Sequence, residues 1–268
     1  MSQQPLNISI CVVLYRSEEG TTIFHQELME SLREQTGFEV NYYDNSPTDA
    51  LRIPLEAHKY GDKVNYIHDE RNLGFSYANN RLILTARYKK ILLLNPDVYG
   101  FSMKGWNLIE AQIVSETVVF AKLINSDGSF QDCIGEVASI RRVFSPRIDY
   151  GNMQSATKIG MGIMAFMLTE KDVYARVGLL DCRYSLYAED MDWCYRASKL
   201  GYSLIYEPNI VLTHTSGASA KDRWGTKTTL HRKYLAERLF IDIHYRGVYW
   251  AVMRFLNIIK RFKVLIGI

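Results

Sequence analysis

Asp44, Asp97 and the cluster Glu189, Asp190 and Asp192 are the acids whose settings suit chemistry, since each stands at the end of an apolar run or the opening of a helical one. A carboxylate at such a place can accept a hydrogen bond from a base, bind a metal, or take a proton from an attacking hydroxyl. Asp97 closes Asn95-Pro96-Asp97, which follows the apolar run Ile91-Leu92-Leu93-Leu94. Four apolar residues in a row mark a strand buried on both faces. The proline ends the ladder and delivers the acid to the strand's carboxyl edge, where open α/β sheets bind ligands. An acid there could hold a divalent cation against phosphate oxygens. The same tripeptide also suits a plain turn whose Asp caps the next segment. Glu189-Asp190-x-Asp192 opens a helical stretch, where negative charge is favoured by the helix dipole, so capping alone is an alternative there too. His214 ends a strand and is either structural or a metal ligand.

The elements that must position these residues alternate. Residues 8–15 form a strand that is apolar almost throughout. Phe24, Leu28 and Leu32 fall on one face of a helix capped by Thr21 or Thr22 and ending near Gly37. Strands over 38–43 and 64–68 follow, then a helix over 76–87 and the strand beginning at Ile91. Strands alternating with helices imply βαβ units and a parallel sheet. Right-handed crossovers place the polar ends Tyr15-Arg16-Ser17, Asp44-Asn45-Ser46, Asp69-Glu70-Arg71-Asn72 and Asn95-Pro96-Asp97 along one edge, which makes room for a nucleotide-sized cleft. Farther on, 117–124 and 162–168 read as strands, with a hairpin-type turn at Asn125-Ser126-Asp127-Gly128. The irregular stretch 131–158 suits an acceptor loop or a long insertion. Helices over 170–177 and 190–200 end at Gly178 and Gly201, and strands cover 202–206 and 210–213.

The chain has 268 residues, 47% hydrophobic and 23% charged, the proportions of an ordinary globular protein. Cys11, Cys133, Cys182 and Cys194 form no CxxC pair and no metal-ligand spacing, which suits reduced thiols in a cytoplasmic protein. Residues 1–7 are polar and lack the basic start and apolar core of a signal peptide, and no apolar window is long enough to span a membrane. No GxGxxG follows the first strand, no GxxxxGK[ST] occurs, and there is no nucleophile elbow, which argues against dinucleotide oxidoreductases, P-loop enzymes and α/β-hydrolases. Residues 221–268 carry eleven Lys or Arg against three acids, net +8, so with +3 for the whole chain the remainder holds −5. From Leu230 this tail has helical periodicity with Trp250, Phe255 and Phe262 among its cations. Basic amphipathic helices of this kind lie on anionic membrane surfaces, or pack their apolar face on the preceding domain. Nucleic-acid binding is not expected without a recognised module.

Taken in order, Val12-Val13-Leu14-Tyr15, Tyr43-Asp44-Asn45-Ser46, Arg71-Asn72-Leu73-Gly74-Phe75 with Asn79, Leu94-Asn95-Pro96-Asp97-Val98, Glu189-Asp190-x-Asp192 with Arg196, and His214 resemble the motifs of family 2 glycosyltransferases. They are most similar to the rhamnosyltransferase-like branch that builds bacterial surface polysaccharides. The resemblance implies a GT-A fold, an α/β architecture with a Rossmann-like, mostly parallel central sheet flanked by helices. On that footing residues 1–227 form the glycosyltransferase domain, with about 1–100 its nucleotide-sugar half and 101–227 its acceptor half. Residues 228–268 form the basic amphipathic tail. The resemblance further implies that Tyr15 and Asp44 line the nucleoside pocket, and that Arg71, Asn72 and Asn79 belong to a second donor segment. Asp97 is then the surviving acid of an Asp-x-Asp metal motif whose first position is Asn95. His214 supplies a further ligand to Mg2+ or Mn2+, Glu189 contacts substrate, and Asp190 is the general base of an inverting transfer. The implied partners are a nucleotide-sugar donor such as dTDP-L-rhamnose, or alternatively a UDP-hexose or UDP-galactofuranose, and a glycan or polyprenyl-diphosphate-linked acceptor. The implied location is cytoplasmic, peripheral on the inner face of the membrane, with room for a homodimer. A catalytically silent sugar-nucleotide-binding partner is the alternative from a different class.

Overall fold

The computed structural model describes residues 4–56, 61–111, 116–146, 148–215 and 218–266. The alternating first third folds as four parallel strands, β1 (Ile8–Leu14), β2 (Phe38–Asp44), β3 (Val64–His68) and β4 (Lys90–Leu94). Helices α1 (Glu18–Ser31), α2 (Arg52–Glu56) and α3 (Phe75–Thr85) connect them. The apolar run Ile91-Leu92-Leu93-Leu94 is 2% exposed or less. Each such side chain contributes ~1.5–3 kcal/mol of transfer free energy, so β4 is anchored between its neighbours. Asn95-Pro96-Asp97 follows, and the chain returns to the sheet only as the two-residue strand β5 (Val98–Tyr99). Helix α4 (Met103–Ala111) then leads into the second half.

With β6 (Thr117–Ile124), β10 (Phe166–Glu170) and β11 (Ser203–His214), that half completes one mixed sheet in the order β3-β2-β1-β4-β10-β6-β11-β5. Strand β10 runs antiparallel between β4 and β6, while β11 is parallel to β6. Two small strands, β7 (Ile134–Gly135) and β9 (Met161–Gly162), pair apart from the main sheet, and β8 (Thr157–Lys158) pairs with β11. Short helices α5 (Ile140–Phe144) and α6 (Lys171–Val177) and the longer α7 (Glu189–Lys199) flank them. The architecture is therefore the expected GT-A-like one.

Three local expectations need correction. Helix α1 starts at Glu18 with Ser17 before it, not at a Thr cap; Ser17 Oγ lies 2.9 Å from Thr21 Oγ1 within the first turn, and the helix ends at Ser31. The two strands expected over 202–213 are one, because Glu207 Oε1 accepts both the backbone N–H and the Nδ2 of Asn209, at 3.0 and 2.7 Å. That side-chain bracket closes a bulge around Pro208 and lets the ladder resume at Val211. The strand expected over 162–168 is divided between β9 and β10, since Met161 and Gly162 pair with β7 in the small sheet while the ladder against β4 begins at Phe166 opposite Leu94. Helices α2, α4 and α5 are additional to those the sequence predicts, being short and without a marked apolar period.

The tail folds as α8 (Ala218–His244) and α9 (Gly247–Ile266), so its first helix runs through residue 227 without a break. The side chains of Lys221, Arg223 and Lys263, counted in the tail's charge, lie outside the described residues. Phe240, Ile241, Tyr245 and Met253 pack with Tyr184 and Met191 in a second core cluster, which holds the helical pair on the face beside α7. Yet Val248, Val252, Phe255, Ile259 and Phe262, spaced alternately four and three apart along α9, are 37–81% exposed. The apolar period of the tail thus serves two faces, one packed and one open. Among the described residues, no helix is long and apolar enough to cross a membrane.

Candidate active site

The rim built by β1, β2 and β3 is knit by short hydrogen bonds. Asp44 is fully buried at the end of β2. Its Oδ1 accepts the Ser46 N–H at 2.8 Å, and its Oδ2 accepts the Tyr66 hydroxyl at 2.6 Å. The Asn45 N–H donates to Leu14 O, and the Arg16 N–H to Ser46 Oγ at 2.8 Å, which ties the end of β1 to that of β2. Arg16 itself sits at φ 49°, and its guanidinium lies 5.4 Å from the centre of the Tyr15 ring. Across the rim, Asp69 receives Arg71 through two guanidinium nitrogens at 2.8 and 2.6 Å, and the Tyr43 hydroxyl at 3.0 Å. Those bonds hold the Asp69 carboxyl well below the usual carboxylate range. Asn72 is exposed with φ 46°, whereas Asn79 is buried on α3 and donates to Phe75 O at 3.1 Å.

The segment carrying Arg71 and Asn72 is brought against the second half of the chain at Gly74. That residue has φ 91°, and a Cβ there would lie 3.3 Å from Ser185 O. Only glycine meets both demands without strain. One turn along α3, Asn80 accepts the Leu180 N–H and donates to Leu180 O, at 2.9 and 2.8 Å. The loop 180–188 is thereby clamped beside the donor segment. It ends in two consecutive left-handed residues, Tyr187 at φ 72° and Ala188 at φ 65°. Neither has a glycine's freedom, so the pair stores ~1–2 kcal/mol apiece. What that strain delivers is the start of α7, and with it Glu189 and Asp190.

These two acids do not serve as the helix cap. The N-cap position is Ala188, with no side-chain hydrogen bond, and Glu189 Oε2 is buried without a partner. Asp190 Oδ1 accepts the Met191 N–H at 2.7 Å. Burial pushes both carboxyls above their ordinary range. The charge of Asp190 raises Glu189 further, and nearby Lys233 partly offsets the effect at Asp190. An acid raised in the folded state loses its proton first in the unfolded chain, so folding weakens as pH climbs from the ordinary glutamate value of 4.5 towards the folded one. Glu189→Gln is accordingly expected to stabilise the protein by ~1–3 kcal/mol at pH 8, with the gain shrinking at pH 5. Thermal melts at the two pH values check this, and an equal gain at both would refute it.

Asp192, two residues on, is spent on architecture. It is 1% exposed and receives Arg196 Nε at 2.9 Å and His244 Nε2 at 2.6 Å. Arg196 also donates to the Val177 and Leu179 carbonyls.

The junction of β4 and β11 brings together residues 119 positions apart. The pairing of β5 with the end of β11 sets Val98 opposite His214, so Asn95 and Asp97 face the imidazole. His214 Nε2 lies 3.2 Å from Asp97 Oδ1 and 3.5 Å from Asn95 Nδ2. On the other side of the ring, Nδ1 lies 2.6 Å from Gln131 Oε1. The Gln131 amide nitrogen is committed to Asn125 Oδ1 and His214 O, which leaves its oxygen to accept and assigns the proton to Nδ1. With that proton on Nδ1, Nε2 is the nitrogen turned towards Asp97 Oδ1, an oxygen that is itself buried and takes no hydrogen bond. At 3.2 Å the two atoms need a proton or a cation between them. The donor set, one carboxylate oxygen and one imidazole nitrogen held by an orienting amide, fits a divalent metal.

The model of glycosyl transferase family 2 matches residues 9–101, the span from β1 to just past Asp97. No curated protein matches the chain. Among solved structures it is similar to a mannosyltransferase from Pyrobaculum calidifontis in complex with GDP-Man and Mn2+, at 13% identity and TM-score 0.64, over 98% of this chain and 74% of that one. It is also similar to GalNAc-T7 with UDP, GalNAc and Mn2+, at 13% identity and TM-score 0.60, over 79% of this chain and 44% of that one. S. aureus TarS gives 14% and 0.58, over 95% of this chain and 43% of that one. The chain thus spans less than half the length of GalNAc-T7 and TarS, and the likeness is one of fold. The family 2 segment contains Tyr15, Asp44, Arg71, Asn72, Asn79, Asn95 and Asp97; Asp190, Glu189 and His214 come from beyond it. Sequence reasoning missed Gln131, which orients His214 from 83 positions away, and Tyr66, which holds Asp44. Neither carries a local signal, because both act only through a partner that folding supplies.

Proposed function

We propose that the chain is an inverting glycosyltransferase that moves a sugar from a nucleoside diphosphate donor to a hydroxyl of a glycan or polyprenyl-diphosphate-linked acceptor. The observation that carries this is Asp97 Oδ1 facing His214 Nε2 at 3.2 Å at the carboxyl end of β4, in a chain whose first third matches family 2. Asp97 and His214 would hold Mg2+ or Mn2+, which when bound neutralises charge on a diphosphate leaving group. Among the described residues no third acid, His or Cys joins them, so diphosphate and water complete the shell. Asn95, in the first position of the motif, supplies an amide beside the imidazole where a second carboxylate is more usual. Tyr15 and Asp44 line the nucleoside pocket, with Asp44 held in place by Tyr66 and Ser46. Arg71, Asn72 and Asn79 border the donor from α3 and the loop before it. Asp190 accepts the proton of the acceptor hydroxyl as that oxygen attacks the anomeric carbon, and Glu189 contacts the sugar beside it. The donor most in keeping with the motifs is dTDP-L-rhamnose. The exposed stripe of α9 supports seating on the inner face of the membrane, with Lys260 and Arg261 beside it.

Calorimetric titration of dTDP, UDP and GDP, each with and without Mn2+, tests the reading. At least one nucleotide is expected to bind in a metal-dependent way. Asp97→Ala is expected to weaken that binding by at least ~10–100-fold, the loss that follows removal of a group merely supporting a metal ligand. Binding that ignores both Mn2+ and Asp97 would overturn it. Binding without sugar transfer would leave only the silent partner.

A further inference from the structure

The helical pair α8–α9 forms one wall of a cavity of about 700 Å3 whose opposite wall is the strained start of α7. Tyr187, Asp190 and Met191 line it on one side, and Lys233, Met253, Leu256 and Asn257 on the other. The volume is that of a pocket for a medium-sized organic ligand. Asn257 is 3% exposed, yet neither its Oδ1 nor its Nδ2 has a partner. An amide buried with all its hydrogen bonds unmade costs ~1–3 kcal/mol. Leucine would fill the same volume on α9 without that penalty, so the amide's value must lie in what enters the cavity. The neighbouring surface from Met191, Met253 and Leu256 is apolar. Lys233 stands 5.1 Å from the centre of the Tyr187 ring, covering the loop that presents Asp190.

We infer that α8 and α9 are the acceptor wall of the active site, and that the acceptor is an amphiphilic glycoside. Its sugar occupies the part of the cavity lined by Asp190 and Asn257, and its apolar aglycone runs over Met191, Met253 and Leu256. Asn257 hydrogen-bonds the sugar and selects it. This rests on Asp190 being the base of the proposed transfer, but the binding it predicts needs neither donor nor turnover.

The test is calorimetric titration of the full chain with n-octyl β-D-glucopyranoside and with methyl β-D-glucopyranoside, in the absence of nucleotide. The octyl glycoside is expected to bind at least about tenfold more tightly than the methyl one. Asn257→Leu is expected to weaken octyl glucoside by about tenfold, the value of one lost hydrogen bond to a buried group. Its thermal stability should be equal or higher, and its nucleotide binding with Mn2+ unchanged. Ile259→Trp, at the edge where the open stripe of α9 meets the cavity rim, offers a second variant that obstructs the aglycone path without touching the core. Equal affinity for the two glycosides, or octyl binding indifferent to both variants, would overturn the assignment. Octyl binding that depends on Asn257 in a protein that binds no nucleotide would keep the cavity and sink the glycosyltransferase reading instead.

Discussion

Asparagine in place of Asp190 is expected to lower sugar transfer by about 10²–10⁴-fold, the usual contribution of a positioned general base. Nucleotide binding should stay near the wild-type value, because Asp190 belongs to α7 while the donor segments belong to β1–β4. The geometry makes the expectation specific. Asp190 is presented by two consecutive left-handed residues and lines an open cavity, and burial holds its carboxyl above the ordinary range. A base raised in this way is ionised only towards neutral pH, so the acidic limb of the wild-type rate profile should lie well above the ordinary aspartate value near 4. Initial rates across pH, with nucleotide affinity measured alongside, check both statements. Transfer retained in Asp190→Asn would remove this residue from the mechanism.

Two positions along the same helix the opposite result is expected. Asp192→Ala should destabilise the protein by ~3–5 kcal/mol, because it removes a buried carboxylate that pairs with the partly buried Arg196 and accepts from His244. For a chain of this size that corresponds to a fall in melting temperature of roughly 10 °C. The loss reaches beyond α7, since His244 is the last residue of α8 and its bond to Asp192 fixes the helical pair to the domain. Thermal or urea unfolding measures it; a fall below about 1 kcal/mol would show that the Arg196 bonds to Val177 and Leu179 carry the joint alone. Asp190→Asn is expected to leave stability unchanged or improved, which makes the two variants a matched pair.

Glu189-Asp190-x-Asp192 illustrates what patterning can and cannot reveal. An acidic cluster at the start of a helical period was legible, and so was its setting on a helix that begins within a residue of the expected place. That Asp192 is the brace was not, because it depends on His244 and Arg196 reaching it, and Asp190's place beside Lys233 and the cavity was equally out of reach. The bulge at Asn209 was equally hidden, since a proline in a strand reads as a break unless a side chain such as Glu207 bridges it.

By itself the sequence determined the parallel half of the sheet, the polar strand ends along one edge, and the position of Asn95-Pro96-Asp97 after a buried strand. All of these follow from local physics: apolar runs that must be buried, prolines that cannot continue a ladder, and alternation that forces crossovers. Tertiary structure decided the partner of Asp97. It pairs β5 with the end of β11, sets His214 at 3.2 Å, and brings Gln131 round to fix the ring's proton. It also decided that the basic tail walls the cavity at Asp190 with one face and leaves the other open. Such pairings span up to 119 positions, and helical or strand periodicity reports only which face of an element is apolar, never what that face will meet.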